Sequence, residues 1–238
     1  MRIDIWSDVT CPWCFIGKKR LEKALEAFPH RDEVEIVHRS YQLDPTAPRG
    51  EVHKQREVLQ QRYGLDEGRV REMMENVERT AASEGVEMRL LEGLTGNTWD
   101  AHRVLHLARE KGLQDAVLER LYKAHFVEGR SIFDARALAE LGAEAGLEAE
   151  EIRQVLEAGR YDGAIQADVR EAQSIGVRGV PFFVIDRRYG VSGAQPKEAF
   201  TEVLEKAWAE SHPVSLVQAA TGDAEACGPD GCELPSPK

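Results

Sequence analysis

Two cysteines three residues apart, Cys11 and Cys14, are the first residues along this chain whose type and spacing can do chemistry. A thiolate is a nucleophile, and two thiols one helical turn apart can close reversibly into a strained disulfide. Cys11-Pro-Trp-Cys14 follows a short alternating apolar stretch and opens a helical one. At a helix start the free backbone N–H groups and the positive end of the dipole stabilise a thiolate. Pro12 has no N–H to lose there and fixes φ for the first turn. Cys11 is therefore read as the nucleophile and Cys14 as the resolving thiol. Zinc is the competing chemistry for a CxxC, but it needs four ligands. The remaining cysteines, Cys227 and Cys232, stand in a CxxxxC spacing far down the chain, so redox use is the better reading and neither metal nor cofactor is expected.

Cys227-Gly-Pro-Asp-Gly-Cys232 encloses a turn-forming core that can bring two sulfurs together. Three readings stand: a second redox pair exchanging with Cys11 and Cys14, a regulatory or protective disulfide, or an inert pair. A redox role is favoured, because paired spacing around a turn is an uncommon accident in a chain with four cysteines. His102 and His106, four apart, have a metal-compatible spacing, and His125 is the nearest further histidine; ordinary helix histidines are the expected outcome. Trp99, Asp100 and His102 are alternatively placed along a groove. His38 is expected in the core or at an edge, Lys18 and Lys19 on the surface, and Met73 and Met74 packed within the helices. Trp6 and Phe15 are expected to be buried near the cysteines, and Trp13 exposed as an apolar platform for substrate protein.

The elements that must position these residues follow from periodicity. Arg2 to Trp6 reads as a strand, with Ile3 and Ile5 on one face. Cys14 to Phe28 reads as a helix closed by Pro29, and Val34 to Tyr41 as a second strand. From about 51 to 176 the spacing is helical nearly throughout, with breaks at Gly64, Gly85, Gly93 to Gly96, Gly112, Gly129, Gly146 and Gly159. Six or seven helices are expected there, with Asn97, Asp134 and Asp162 as N-caps. Strands return at Gly179 to Asp186 and Tyr189 to Ser192, and Pro196 to Ala209 closes as a helix. The order is strand-helix-strand, a helical block, then strand-strand-helix.

Composition bounds the function. In 238 residues, 31 Lys and Arg against 42 Asp and Glu leave a net charge of −11. That excess gives no positive field to displace counterions from phosphate, so a nucleic-acid partner is not expected, nor a polybasic membrane anchor. Apolar residues at 42% and charged ones at 31% describe a globular chain with a real core. The longest apolar run, Val180 to Ile185, is far short of the ~18 residues of a membrane span. The first residues lead straight into strand-like sequence with no targeting pattern, and cytoplasm is the expected location.

Together, strand-CxxC-helix and the later Val180-Pro181 at the head of a strand resemble the thioredoxin fold. That resemblance implies a cis Val180–Pro181 bond facing the CxxC, with the main chain of Val180 presented to an extended substrate. A thioredoxin-like unit split by helices resembles the DsbA-type arrangement. The wording of four segments, 8–17, 41–45, 97–103 and 176–183, resembles the FrnE-type dithiol-disulfide isomerases, over residues 1 to about 209. The implied organisation is an α/β thioredoxin-like domain from 1–43 and 177–209, a helical insertion at 44–176 and a mobile tail at 210–238. Strongly oxidising relatives carry His between the cysteines; here Pro12 and Trp13 supply no charge. Loss of that thiolate contact lowers the potential, which fits a reductase or isomerase better than a dedicated oxidant.

The expected activity is reduction or isomerisation of protein disulfides, with glutathione or a thioredoxin-type protein as reductant. The kappa-class glutathione transferases and 2-hydroxychromene-2-carboxylate isomerases resemble the chain in architecture but usually place Ser at the Cys11 position. A glutathione-dependent transferase or isomerase is thus the second reading. A redox-sensing holdase using an apolar groove is the non-enzyme alternative.

Overall fold

The computed structural model describes residues 1–213, together with the backbone of Cys227–Gly228 and Gly231–Cys232. Four strands form the central sheet: β1 (Arg2–Ser7), β2 (Glu35–Ser40), β5 (Phe182–Ile185) and β6 (Tyr189–Ser192), in the order β2-β1-β5-β6. β1 and β2 run parallel, joined through α1 (Pro12–Glu26), because parallel neighbours need a crossover. β1 pairs antiparallel with β5, and β5 with β6. The β5–β6 turn puts Asp186 and Arg187 at φ 48° and 55°, the left-handed pair that matches strand twist in a tight hairpin.

Between the two halves of the sheet lie β3 (Val52–Lys54), α2 (Gln55–Tyr63), α3 (Glu67–Ser83), β4 (Leu94–Gly96), α4 (Trp99–Glu110) and α5 (Gln114–Tyr122). After a π-helical turn at Lys123–Val127 come α6 (Ala135–Glu144), α7 (Ala149–Glu157) and α8 (Asp162–Ser174). That makes seven α-helices among the described residues of the block, at the upper end of the expectation. Helix α9 (Lys197–Ser211) follows β6. Gly64, Gly85, Gly112, Gly129, Gly146 and Gly159 all take positive φ, so these breaks fall where the chain turns left-handed, whereas Gly93 ends its short helical turn in extended conformation with φ −62°.

Several boundaries differ from the periodic reading. α1 starts at Pro12 and stops at Glu26. The periodic signal begins only at Cys14, but the start at Pro12 is the one that the proline and the CxxC at the helix opening mark. β5 begins after Pro181, because Gly179 to Pro181 forms a loop over α1 and Pro181 lacks the N–H for a ladder. The antiparallel pair β3–β4 was not expected; at three residues each, strands carry no periodic signal. Asp134 caps α6 by accepting from the Ala137 amide, as expected. Thr98 is the residue ahead of α4, with Asn97 Oδ1 accepting from the Trp99 amide. Asp162 is the first residue of α8 and pairs with Arg103 instead of capping.

The sheet is a middle layer. Ile3, Ile5, Phe183 and Ile185 face α1 and α9, meeting Leu21, Ala24, Phe200, Leu204 and Ala207. The opposite face carries Trp6, Phe182 and Val184 against Ala172 and Val177, so β1 is covered on both sides. α1 is two-faced. Its other side, Cys14, Phe15 and Ile16, enters a large apolar cluster with Leu107, Leu118, Leu121, Tyr122 and Phe126 of the helical block. Phe15 stacks on Tyr122 with centroids 4.9 Å apart. The helix carrying the cysteines is thereby clamped between the sheet and the block.

Candidate active site

Cys11 is the N-cap of α1, in extended conformation with φ −91° and ψ 110°. Its amide donates to the Asp8 carbonyl at 3.1 Å, and its carbonyl accepts from Cys14 N at 3.0 Å, so a tight turn joins β1 to the helix. Both thiols are free and buried. Burial, reinforced by the neighbouring Cys11, pushes the Cys14 thiol well above its ordinary range. The two thus differ in setting: Cys11 lines a cavity, whereas Cys14 lies behind it.

The loop before β5 closes over Cys11. The Val180–Pro181 bond is cis, and Cys11 Sγ stands 3.7 Å from the Val180 carbonyl oxygen that accepts from it. Glycine at position 17 of α1 lets this loop approach: a Cβ there would lie 3.1 Å from Pro181 Cγ and 3.2 Å from Phe183 Cζ. Trp13 is 38% exposed at the same mouth, whereas Trp6 and Phe15 are fully buried. The cavity holds about 350 Å³ and is walled by Cys11, Trp13, Val180 and Leu43, with Leu59 and Met74 from α2 and α3. Arg62 and Asp44 supply charge at its polar side.

The remaining candidates find other settings. His102 Nε2 donates to the Tyr41 carbonyl at 3.1 Å, and His106 Nε2 meets Ser40 Oγ at 3.1 Å and Asp168 at 3.2 Å, so the two serve different partners. His38, on β2, is buried and meets Asp115 at 3.2 Å. Trp99 does not line the cavity; its indole N–H donates to Asp162 at 2.6 Å. Two expectations need correction. Lys18 is buried, not a surface charge: burial opposes its ammonium, but Asp115, Glu22 and Glu119 outweigh that and raise its pKa. Met73 is 37% exposed and lines the cavity with Met74, because α3 turns that edge toward Cys11 instead of the core. Cys227 and Cys232 stand opposite each other in a two-residue antiparallel backbone pair. Their side chains, and the expected exchange with Cys11, lie outside the described residues.

Residues of the helical block that wall the cavity were not legible as site residues. Val58, Leu59 and Val77 look like ordinary helix apolars, and only the fold carries them to Cys11. Asp8 did carry a signal: a carboxylate three residues before Cys11, in a loop otherwise made of small and apolar residues. It is 1% exposed, lines the cavity and accepts the Leu43 amide at 2.8 Å through Oδ2.

The fold has counterparts among solved structures. A probable DsbA oxidoreductase from Streptomyces coelicolor superposes with a TM-score of 0.86 at 49% identity, covering 99% of this chain and 100% of that one. A cytosolic disulfide reductase from Pseudomonas aeruginosa, solved with glutathione, gives 0.61 at 23% identity over 87% of this chain and 99% of that one. A 2-hydroxychromene-2-carboxylate isomerase gives 0.65 at 12% identity over 89% and 98%. The last two share the fold. The model of the DsbA-like thioredoxin domain matches residues 2–205, a span that runs from the first strand through both cysteines and the Val180–Pro181 loop into the last helix. The chain belongs to the DsbA-like thioredoxin domain family.

Proposed function

We propose that this protein is a dithiol–disulfide oxidoreductase that reduces or isomerises protein disulfides, with Cys11 as nucleophile and Cys14 as resolving thiol. The observation that carries the reading is the asymmetry of the pair: Cys11 faces a cavity from a helix N-cap, and Cys14 lies buried behind it, one turn into the same helix. Cys11 attacks a substrate disulfide, forming a mixed disulfide and releasing one substrate thiolate. Cys14 then attacks Cys11 Sγ, which forms the internal disulfide and releases the second substrate thiolate. Trp13 and the Val180–Pro181 loop flank Cys11 and supply the apolar and main-chain surfaces against which an extended substrate lies. A substrate main chain docking there takes over the Val180 carbonyl that now accepts from Cys11.

Glutathione or a thioredoxin-type protein recharges the pair, in the cytoplasm; the likeness to a cytosolic reductase solved with glutathione supports this part. Among the described residues no helix is long and apolar enough to cross a membrane. A glutathione-dependent transferase or isomerase is the second reading, favoured by a cavity of about 350 Å³ beside Cys11, sized for a small molecule.

Insulin reduction with single variants tests the proposal. Cys11→Ser is expected to abolish turnover. Cys14→Ser is expected to accumulate mixed disulfides with substrate, visible on non-reducing gels, because attack proceeds and resolution does not. A Cys14→Ser protein with full turnover and no trapped adduct would overturn the assignment. Conjugation of glutathione to an aromatic electrophile at a rate above that of insulin reduction would move the reading to the transferase.

A further inference from the structure

Helix α2 carries an ordered face that no core receives. Gln55, Val58, Leu59, Arg62 and Tyr63 recur at the spacing of one helical face, and all five line the cavity beside Cys11. None of the nine residues of α2 is buried. A surface helix ordinarily turns its apolar stripe into a core, but here a space of about 350 Å³ lies in front of it. The helix is held at its ends instead. The Gln55 amide donates to the Gly93 carbonyl at 2.9 Å, β3 leads straight into the first turn, and Gly64 closes the last in left-handed conformation.

The opening in front of this face is apolar, and its far wall is reactive. Six large apolar side chains are exposed among the described residues, and four of them, Trp13, Leu43, Tyr63 and Met73, ring this cavity. Exposed apolar surface gathered in one place marks a binding site. Cys11 and Val180 line the same space, so a substrate cysteine attacked there brings its neighbouring residue in front of α2. Charge adds a second requirement. Of the two carboxylates lining the space, Asp8 is buried against the Leu43 amide, and Asp44 accepts from the Thr46 amide and hydroxyl at 3.0 and 2.7 Å. Arg62 is exposed and makes no ion pair or hydrogen bond with the described residues, although Asp44 feels its charge. Elsewhere a chain of net charge −11 repels an acidic segment, so an arginine open at this rim selects where such a segment binds.

We propose that the cavity-facing side of α2 is a specificity subsite for a peptide substrate, a proposal that rests on the dithiol reading above. Val58 and Leu59 receive a large apolar side chain next to the reactive cysteine of the substrate, and Arg62 pairs with a carboxylate further along the same segment. The favoured substrate is an extended chain with Leu, Phe or Trp beside its cysteine and Asp or Glu one or two residues beyond. Each methylene placed against the apolar wall leaves water, so discrimination grows with side-chain size until the space is full. The subsite acts on binding, and its effect is read as a ratio of kcat/KM between substrates.

The test uses the reduced full-length protein, with Cys227→Ser and Cys232→Ser, and short peptides whose single cysteine is joined to thionitrobenzoate. Attack of the Cys11 thiolate on the peptide sulfur forms a Cys11–peptide disulfide and expels the coloured thiolate. Second-order rate constants, each divided by the rate of Cys11 alkylation with iodoacetamide, compare Ala, Leu and Trp beside the cysteine, and Asp, Ser and Lys two residues beyond. The parent is expected to favour Leu and Trp over Ala by about tenfold. It should favour Asp over Lys by about threefold or more at low salt, a preference that fades by about 0.5 M salt. Val58→Trp, which fills the space, should remove the apolar preference. Arg62→Glu should reverse the order of Asp and Lys and keep that of Leu and Ala. Parental rates within about twofold across the whole set overturn the proposal while leaving the dithiol reading intact. So does an apolar preference that survives Val58→Trp, or an acidic one that survives either Arg62→Glu or about 0.5 M salt. A glutathione–thionitrobenzoate disulfide that outruns every peptide gives the cavity to a small thiol and overturns the proposal equally. A protein whose Cys11 is alkylated but which releases chromophore from no peptide overturns the dithiol reading, and this proposal with it.

Discussion

A thiol at a helix N-cap and a thiol one turn further in meet different surroundings, and the same holds for every titratable group this fold encloses. His125 shows the consequence for stability. Burial among Phe126 and Phe133 lowers its pKa from 6.5 to about 4, only partly offset by the charge of Asp8. A histidine with a depressed folded pKa leaves stability whole above the unfolded value and removes it as the unfolded chain alone takes up the proton. The window therefore opens near pH 6.5 and closes near the folded value of about 4, at a cost of about 3 kcal/mol. Buried carboxylates such as Asp168, held low against burial by His106 and Ser40, release their contribution only at lower pH. Urea midpoints measured from pH 7 down to the edge of that window are expected to fall steadily. In His125→Gln the slope should shrink by about one proton's worth, whatever the variant's constant offset. An unchanged slope would place His125 outside the acid response.

At the scale of elements, α1 is held by what it lacks as much as by what it carries. Gly17 lets Pro181, Phe183 and Ala194 approach the helix where any side chain would fill the gap. Alanine there recovers up to about 1 kcal/mol of helix propensity against contacts of 3.1–3.4 Å, so Gly17→Ala is expected to be nearly neutral. Valine adds two methyls to the same gap and has poorer propensity. Gly17→Val is expected to destabilise by about 1–3 kcal/mol and to displace the loop that faces Cys11. Denaturant midpoints for both variants, with the rate of Cys11 alkylation, check the pair. A Val variant as stable and as reactive as the parent would mean that the loop adjusts freely. The next residue, Lys18, ties the same helix to α5 through Asp115 and Glu119, holding α1 from another side.

Across the whole molecule, the apolar interior passes through α1 without a break. Val9, Cys14, Phe15 and Ile16 share one cluster with side chains from α3 to α7, and Leu21 and Ala24 of the same helix belong to the sheet's cluster. A helix common to both cores couples them. Phe15→Ala removes the ring stacked on Tyr122 and packed near Phe126, at an expected cost of about 3–5 kcal/mol. Because the loss sits on the shared helix, helical signal by circular dichroism and the fluorescence of Trp6, read with Trp13, Trp99 and Trp208 replaced by Phe, are expected to shift together, in one transition. Two separated transitions, with only the helical signal displaced, would show that the block unfolds by itself.

Local chemistry made much of this legible beforehand. Pro12, the cysteine spacing and the strand before them mark a helix-start thiol pair, because capping, φ restriction and thiolate stabilisation act within a few residues. Alternation and glycine breaks located the main strands and the helices of the block for the same reason: their causes are neighbours in the chain. Trp13 could be assigned to the surface, since a residue between two turn-forming cysteines has little chain around it. What no local rule contained was the wall opposite Cys11. Met73 differs from Met74 only by which way α3 is turned, and Lys18 is buried only because α5 arrives beside it with Asp115 and Glu119. The free oxygen of Asp8 likewise exists only once Leu43 takes the other and His102 is brought within 3.5 Å. Cavities, ion clusters and orphaned lone pairs are properties of surfaces brought together from distant sequence, so only the packed chain decides them.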